Sequence, residues 1–173
     1  MSLVRWILVI MPAILLLGFL SASLVPVGAD SRWYSALAKP DATPPAWLFP
    51  VAWTTIYILI GLALALIVNA RRARGRGVGI ALFAVQMAAN LAWMPLFFGA
   101  HAVVPSILLL AILLLLVIAM AFAFARVRPL AAWLLVPYMV WVSYAGIILL
   151  EIHALNPNAG DLVIPAPTTQ IAL

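Results

Sequence analysis

Few residues in this chain can do chemistry, and those that can are aromatic rings and uncharged amides. Trp53, Trp93 and Trp141 fall inside long apolar stretches. Membrane tryptophans gather at interfaces, and that explanation suits Trp6, Trp33 and Trp133 near span ends but not these three. Gln86, Asn90 and Trp93 are spaced i, i+4, i+7 and so share one helical face. Amides in hydrocarbon need partners. Helix–helix adhesion satisfies that need, and so does a pocket wall in which Asn90 supplies a hydrogen bond and Trp93 a flat surface. A later stretch carries Tyr138, Trp141 and Tyr144, with Glu151 and His153 near its end, where solvation and a functional role are both open. Cysteine is absent, and no carboxylate pair, metal-ligand cluster or activated nucleophile can be assembled. Hydrolysis, group transfer and a metal centre are therefore not expected. What remains is stacking against a planar apolar molecule.

Residues 33–57 are the place where this chemistry is densest. Trp, Tyr and Lys alternate there with stiffening prolines at Pro40, Pro44 and Pro45, each fixing its own φ and extending the residue before it. Thr43 is the expected cap of the helix that follows. The stretch reads as a rigid lid over the mouth of a pocket.

The elements that position these residues must be membrane spans. The 173 residues are 68% hydrophobic and 8% charged, with a mean hydropathy of +1.26. Such a chain cannot cover a soluble surface with polar groups. With ~20 residues per span, five spans are expected at about 4–27, 45–69, 78–98, 104–125 and 130–155. They form an all-α integral membrane bundle over residues 1–156, with a lid loop at 28–44. Residues 157–173 are expected to be a disordered tail. The first apolar run is long for a signal peptide, whose core spans ~7–15 residues, so a retained helix is favoured. Pro12, Pro50, Pro95 and Pro137 fall inside four of the spans and are expected to kink them, leaving cavities between splayed helices.

Charge sets the orientation. Arg5, Arg71, Arg72, Arg74, Arg76, Arg126 and Arg128 fall on one side, and only Arg32 and Lys39 on the other. The positive-inside rule then places the amino terminus and the arginine loop in the cytoplasm, with the lid and carboxy terminus outside. The same clustering at span ends argues against nucleic acid as a partner despite the net charge of +5. Gly75, Gly77 and Gly79 follow no strand and precede no Lys-Ser/Thr, so the stretch from Arg71 to Gly77 is a flexible turn and not a phosphate loop.

Taken together, the ordered set Trp33-Tyr34, Leu37, Lys39-Pro40, Pro44-Pro45, Trp47, Trp53 and Tyr57 resembles the first loop and second helix of the TspO/MBR family. These are the tryptophan-rich sensory proteins of bacteria and the mitochondrial translocator protein. Gln86, Asn90, Trp93, Pro95 and Phe97-Phe98-Gly99 resemble the family's third helix, and Pro129 to Ala132 with Pro137-Tyr138 and Trp141 its fifth. The resemblance implies a five-helix bundle, commonly a homodimer, in a bacterial cell membrane. It implies binding of porphyrins such as haem and protoporphyrin IX, as ligands and not as required cofactors. The implied ligand-binding residues are Trp47, Trp53, Tyr57, Asn90, Trp93, Trp141, Ala145 and Ile148, lidded by Trp33 and Tyr34. Trp53 and Trp141 match the tryptophans tied to light-driven porphyrin breakdown, and so stand as the catalytic candidates. Three departures are visible: Asp41-Ala42-Thr43 where the family carries an aromatic, Leu149 where many members have Asn, and no cation beyond Arg128 to complete a sterol-type pattern.

The leading expectation is a membrane receptor or sensor for porphyrins and related flat hydrophobic ligands, with their transport as an extension. A light- or oxygen-dependent porphyrin-degrading enzyme is the second, and a small-molecule or sterol transporter the third. No buried charge relay or evident internal repeat favours the transporter.

Overall fold

The computed structural model describes residues 2–162, and no strand occurs among them. Five helical segments are long and apolar enough to cross a membrane, as expected. The helices are α1 (Leu3–Ser23), a short α2 (Arg32–Ala36), α3 (Leu48–Asn69), α4 (Arg76–Met94), α5 (Val103–Ala125), a short α6 (Pro129–Trp133) and α7 (Val136–Leu155). Helix α1 packs on α3, α4 on α5, and α5 on α7, whereas α3 and α7 meet only loosely. The interior is filled by Ile60, Ile67, Leu113, Val117, Met120 and Phe124, all fully enclosed, while large apolar side chains such as Leu8, Leu16, Leu115 and Phe122 face outward. For a membrane protein that outward face is the lipid-contacting one.

Glycine sets the closest approach between helices. A Cβ on Gly18 of α1 would lie 2.1 Å from Tyr57 Cε2, and one on Gly61 of α3 would lie 3.0 Å from Met11 Cα. Gly18 therefore makes room for the Tyr57 ring, and Gly61 lets the two backbones touch.

Prolines act differently from the expectation. Pro12 does sit inside α1. Pro50 and Pro137 instead fall in the first turns of α3 and α7, where amide hydrogens have no helical acceptor anyway, so neither breaks a bond there. Pro95 ends α4 and opens a π-helical turn, Pro95–Gly99, in which Ala100 N–H donates to Pro95 O at 2.9 Å. The missing Pro95 N–H would strand the Leu91 carbonyl four residues earlier. Ser21 of α1 donates its hydroxyl to that carbonyl at 2.7 Å. The break in α4 thus becomes a bond between α1 and α4.

The connections also refine the expected boundaries. Thr43 does not cap the second span: α3 starts at Leu48, with Trp47 at the cap position and no side-chain capping bond. Pro44 and Pro45 keep the residues before them extended, and the first turn closes only where Leu48 N–H donates to Pro45 O at 2.9 Å. The fifth span is broken at Leu134–Leu135, just ahead of Pro137, into α6 and α7. Gly75 takes a left-handed φ of 84° before α4, and Arg76 Nε donates to Val68 O at 3.2 Å, covering a carbonyl at the end of α3. Of the expected tail, residues 157–162 are described. They include a 3₁₀ turn at Ala159–Asp161 with Ala159 buried. Residues 163–173 lie outside the described residues.

Candidate functional site

Near the middle of three spans a line of polar side chains crosses the bundle. Tyr57 of α3 donates its hydroxyl to Asn90 Oδ1 at 3.1 Å, Asn90 Nδ2 donates to the Tyr138 hydroxyl at 2.8 Å, and Tyr138 donates to Gln86 Oε1 at 3.1 Å. Gln86 and Tyr138 are wholly enclosed, and Tyr57 and Asn90 nearly so. Every link is a neutral hydrogen bond, the form in which polar groups are tolerated away from water. The line is incomplete at one point, Gln86 Nε2, a buried N–H donor with no acceptor; Trp93 Nε1 toward the lid is a second such donor, and Trp6 Nε1 and Thr43 Oγ1 are unmet elsewhere. A buried unmet donor costs about 1–3 kcal/mol and calls for an explanation.

Aromatic rings surround this line. Trp53 lies 5.5 Å from Tyr57 and 6.3 Å from Tyr138 between ring centroids. Trp141 stands edge-on to Phe49 at 5.8 Å, which brings rings of α3 and α7 together where those helices pack loosely. Trp93 stacks on Phe97 at 5.0 Å. Ala145 and Ile148 follow Trp141 by four and seven residues along one face of α7, with Ile148 buried and Ala145 half-buried. The rings form three separate groups, Trp53 with Tyr57 and Tyr138, Trp141 with Phe49 and Tyr144, and Trp93 with Phe97 and Phe98.

The lid is fastened by bonds that reach across the sequence. Ser31 caps α2 through Tyr34 N–H at 3.2 Å. Trp33, 2% exposed, donates its indole N–H to Ala159 O at 2.8 Å, stacks on His101 at 4.3 Å and meets Phe97 edge-on. Asn156 accepts from Ala38 N–H at 2.9 Å and donates to Ala38 O at 2.8 Å, as a neighbouring strand would. The Tyr144 hydroxyl donates to Ala42 O. Tyr34 packs edge-on against Phe97 and Phe98, and Lys39 Nζ sits 4.7 Å over its ring. Partial burial holds the Lys39 ammonium below its ordinary pKa.

Most of the expected site residues are thus placed in two linked groups. Trp53, Tyr57, Asn90, Trp141, Ala145 and Ile148 fall at the α3–α4–α7 interior, and Trp33, Tyr34 and Trp93 lie at the lid. Trp47 is different: it is 64% exposed at the start of α3, with its ring turned outward because the helix begins only after it. Sequence reasoning missed Tyr138 as the hub of the polar line, although it lies three residues before Trp141 on the same face. It also missed Asn156 as the lid's partner. Glu151 is exposed, in keeping with the solvation reading, and among the described residues no group of three metal-ligating side chains forms.

Two shallow recesses open at the opposite, arginine-bearing end. One, of about 510 Å³, is lined by Asn69, Arg71, Arg72 and Arg128 among others. The second, of about 410 Å³, shares Asn69 and Arg128 with it.

Comparison with known proteins bears on the whole span of these features. The model of the TspO/MBR family matches residues 9–155. Protein CrtK of Rhodobacter capsulatus is 41% identical over 131 residues, covering 75% of this chain and 82% of the relative. Tryptophan-rich protein TspO of Chlorobaculum tepidum is 38% identical over 144 residues, covering 83% and 90%. The translocator protein of Bos taurus is 35% identical over 133 residues, covering 76% and 78%.

Proposed function

The chain belongs to the TspO/MBR family of five-helix membrane proteins, and from that premise we propose that it is a receptor for porphyrins, haem and protoporphyrin IX among them, and for related flat hydrophobic molecules. The observation that carries the reading is the polar line Tyr57–Asn90–Tyr138–Gln86 with Trp53 packed against both its tyrosines, and two unmet N–H donors, Gln86 Nε2 in the line and Trp93 Nε1 toward the lid. A porphyrin offers both things this site lacks. Its π-face stacks on indole rings, and its carboxylate edge accepts hydrogen bonds from donors such as Gln86 Nε2 and Trp93 Nε1. The lid then controls access. The site lies in the membrane interior, so the ligand enters from the bilayer or past the lid, and passage across the membrane is a natural extension of binding.

We place the amino terminus and the arginine turn in the cytoplasm, the lid outside, and the working unit as a homodimer in a bacterial cell membrane. The charge asymmetry, seven cations against two, supports the orientation. A second reading, light-driven porphyrin breakdown, rests on Trp53 and Trp141, oxidisable rings on the facing helices α3 and α7.

The test is quenching of tryptophan fluorescence by protoporphyrin IX in detergent-purified protein, in the dark and under illumination. Saturable dark quenching is expected. Trp53→Phe and Trp141→Phe should each weaken it about two- to tenfold, given ~0.5–1.5 kcal/mol per aromatic contact. Asn90→Ala should weaken it as well. Quenching that is linear and indifferent to all three changes would discard the receptor reading. Loss of porphyrin absorbance only in the light, and only with both tryptophans present, would move the conclusion to the enzyme.

A further inference from the structure

The arginine end holds a feature that ligand binding under the lid does not use. The turn between α3 and α4 and the turn between α5 and α6 meet around the first recess, with Arg71, Arg72, Arg128 and Asn69 in its wall. None of the four Asp and Glu side chains lies at this end. Asp30 and Asp41 belong to the lid segment, Glu151 lies near the carboxy-terminal end of α7, and Asp161 in the turn after it. Arg72 and Arg128, brought together from two turns with no Asp or Glu side chain at their end of the bundle, attract an anion. Their planar forks match the oxygens of a phosphate.

The second recess says which phosphate. It adjoins the first through Asn69 and Arg128 and continues along Leu3, Leu66 and Leu130, apolar side chains at the ends of three spans. A polar cradle that runs into an apolar groove at the membrane boundary has the two-part character of a phospholipid. We propose that these joined recesses are a binding site for an anionic phospholipid, its phosphate held by Arg72 and Arg128 and an acyl chain laid along Leu3, Leu66 and Leu130. A free phosphate would use the first recess alone; the lipid uses both. Basic pockets between spans on the cytoplasmic side are a recognised setting for such headgroups.

Native mass spectrometry of the full detergent-purified chain provides the test, with titration by dioleoyl phosphatidylglycerol, dioleoyl phosphatidylcholine and glycerol 3-phosphate. At least tenfold preference for phosphatidylglycerol over phosphatidylcholine is expected. The double variant Arg72→Gln/Arg128→Gln should lose most of that preference. Arg74→Gln/Arg126→Gln removes the same charge outside the recess walls and should keep it. Leu66→Ser should weaken the lipid but not glycerol 3-phosphate. Helical circular dichroism and retained porphyrin quenching show that each variant is folded. Equal binding of the two lipids overturns the proposal, as does equal loss in the two double variants. Full displacement of phosphatidylglycerol by glycerol 3-phosphate at matched concentration overturns the lipid as the occupant.

Discussion

At the lid end, Asn156 uses its amide on both backbone groups of Ala38, Trp33 reaches Ala159, and Tyr144 reaches Ala42. At the arginine end, the α3–α4 and α5–α6 turns bring Arg71, Arg72 and Arg128 around an open recess. One end is closed by neutral, directional bonds between distant parts of the chain, and the other is marked by charge of a single sign. Neutral bonds of about 1 kcal/mol each are insensitive to salt and can be broken singly. Exposed charges act over a Debye length of ~8 Å and respond to ionic strength and to lipid. The lid end is held by bonds that can be released one at a time, whereas the arginine end carries charge that answers to its surroundings.

The largest effect that bears on this contrast is expected between the two ends. Gly18→Ala would drive a methyl group into the Tyr57 ring, 2.1 Å from Cε2. Overpacking of this kind costs about 1–3 kcal/mol, and the displaced ring would also leave Asn90. Thermal unfolding should shift down and porphyrin quenching should weaken together; unchanged melting would show that the ring has room the packing denies.

Next comes Asn156→Ala, which removes two bonds from the lid and should cost about 1–2 kcal/mol. Hydrogen exchange at the Ala38 amide should accelerate while exchange in the Arg71–Arg76 turn stays as it was. Acceleration at both ends would erase the distinction between them.

A smaller effect separates the ends by pH. Burial depresses the Lys39 pKa in the folded protein relative to the unfolded chain. The folded state therefore disfavours charged Lys39, and that penalty is present at neutral pH. It is relieved as pH rises through the depressed folded pKa toward the ordinary lysine value. Melting temperature should rise slightly over this alkaline window, and the rise should vanish in Lys39→Met. The smallest expected change is in Arg72→Gln/Arg128→Gln, which in lipid-free detergent should alter stability by no more than about 0.5 kcal/mol.

The five spans were legible because length and hydropathy suffice for them. So was the Gln86–Asn90–Trp93 face, since helical spacing dictates it. What spacing does not give is the partner. Asn90 announces a buried amide, but nothing local says that it bonds Tyr57 and Tyr138, 33 and 48 positions away. Asn156 falls at the very end of the expected domain, just before the expected tail, and its tie to Ala38 spans 118 positions. Proline was misread for a related reason. Its effect depends on whether the lost N–H had an acceptor, and Pro50 and Pro137 lie in first turns where it did not. Trp47 was assigned to the pocket by resemblance, yet the late start of α3 turns it outward. The porphyrin reading itself rests on the family and on the unmet donors, since no sequence pattern names a ligand.

The bond from Trp33 to Ala159 joins positions 126 residues apart, and this has a consequence for how the protein is made. At ~5–20 residues per second on the ribosome, the first loop waits on the order of ten seconds after its own synthesis before its anchor exists. Through that interval four spans can insert while the loop's tryptophan has its ring partners Phe97 and His101 but no acceptor for its N–H. The last bond of the lid therefore forms only after the last span has been made. A nascent chain that stalls before Ala159 would be delivered to the membrane with its first loop open, a state that quality-control proteases could distinguish from the finished protein.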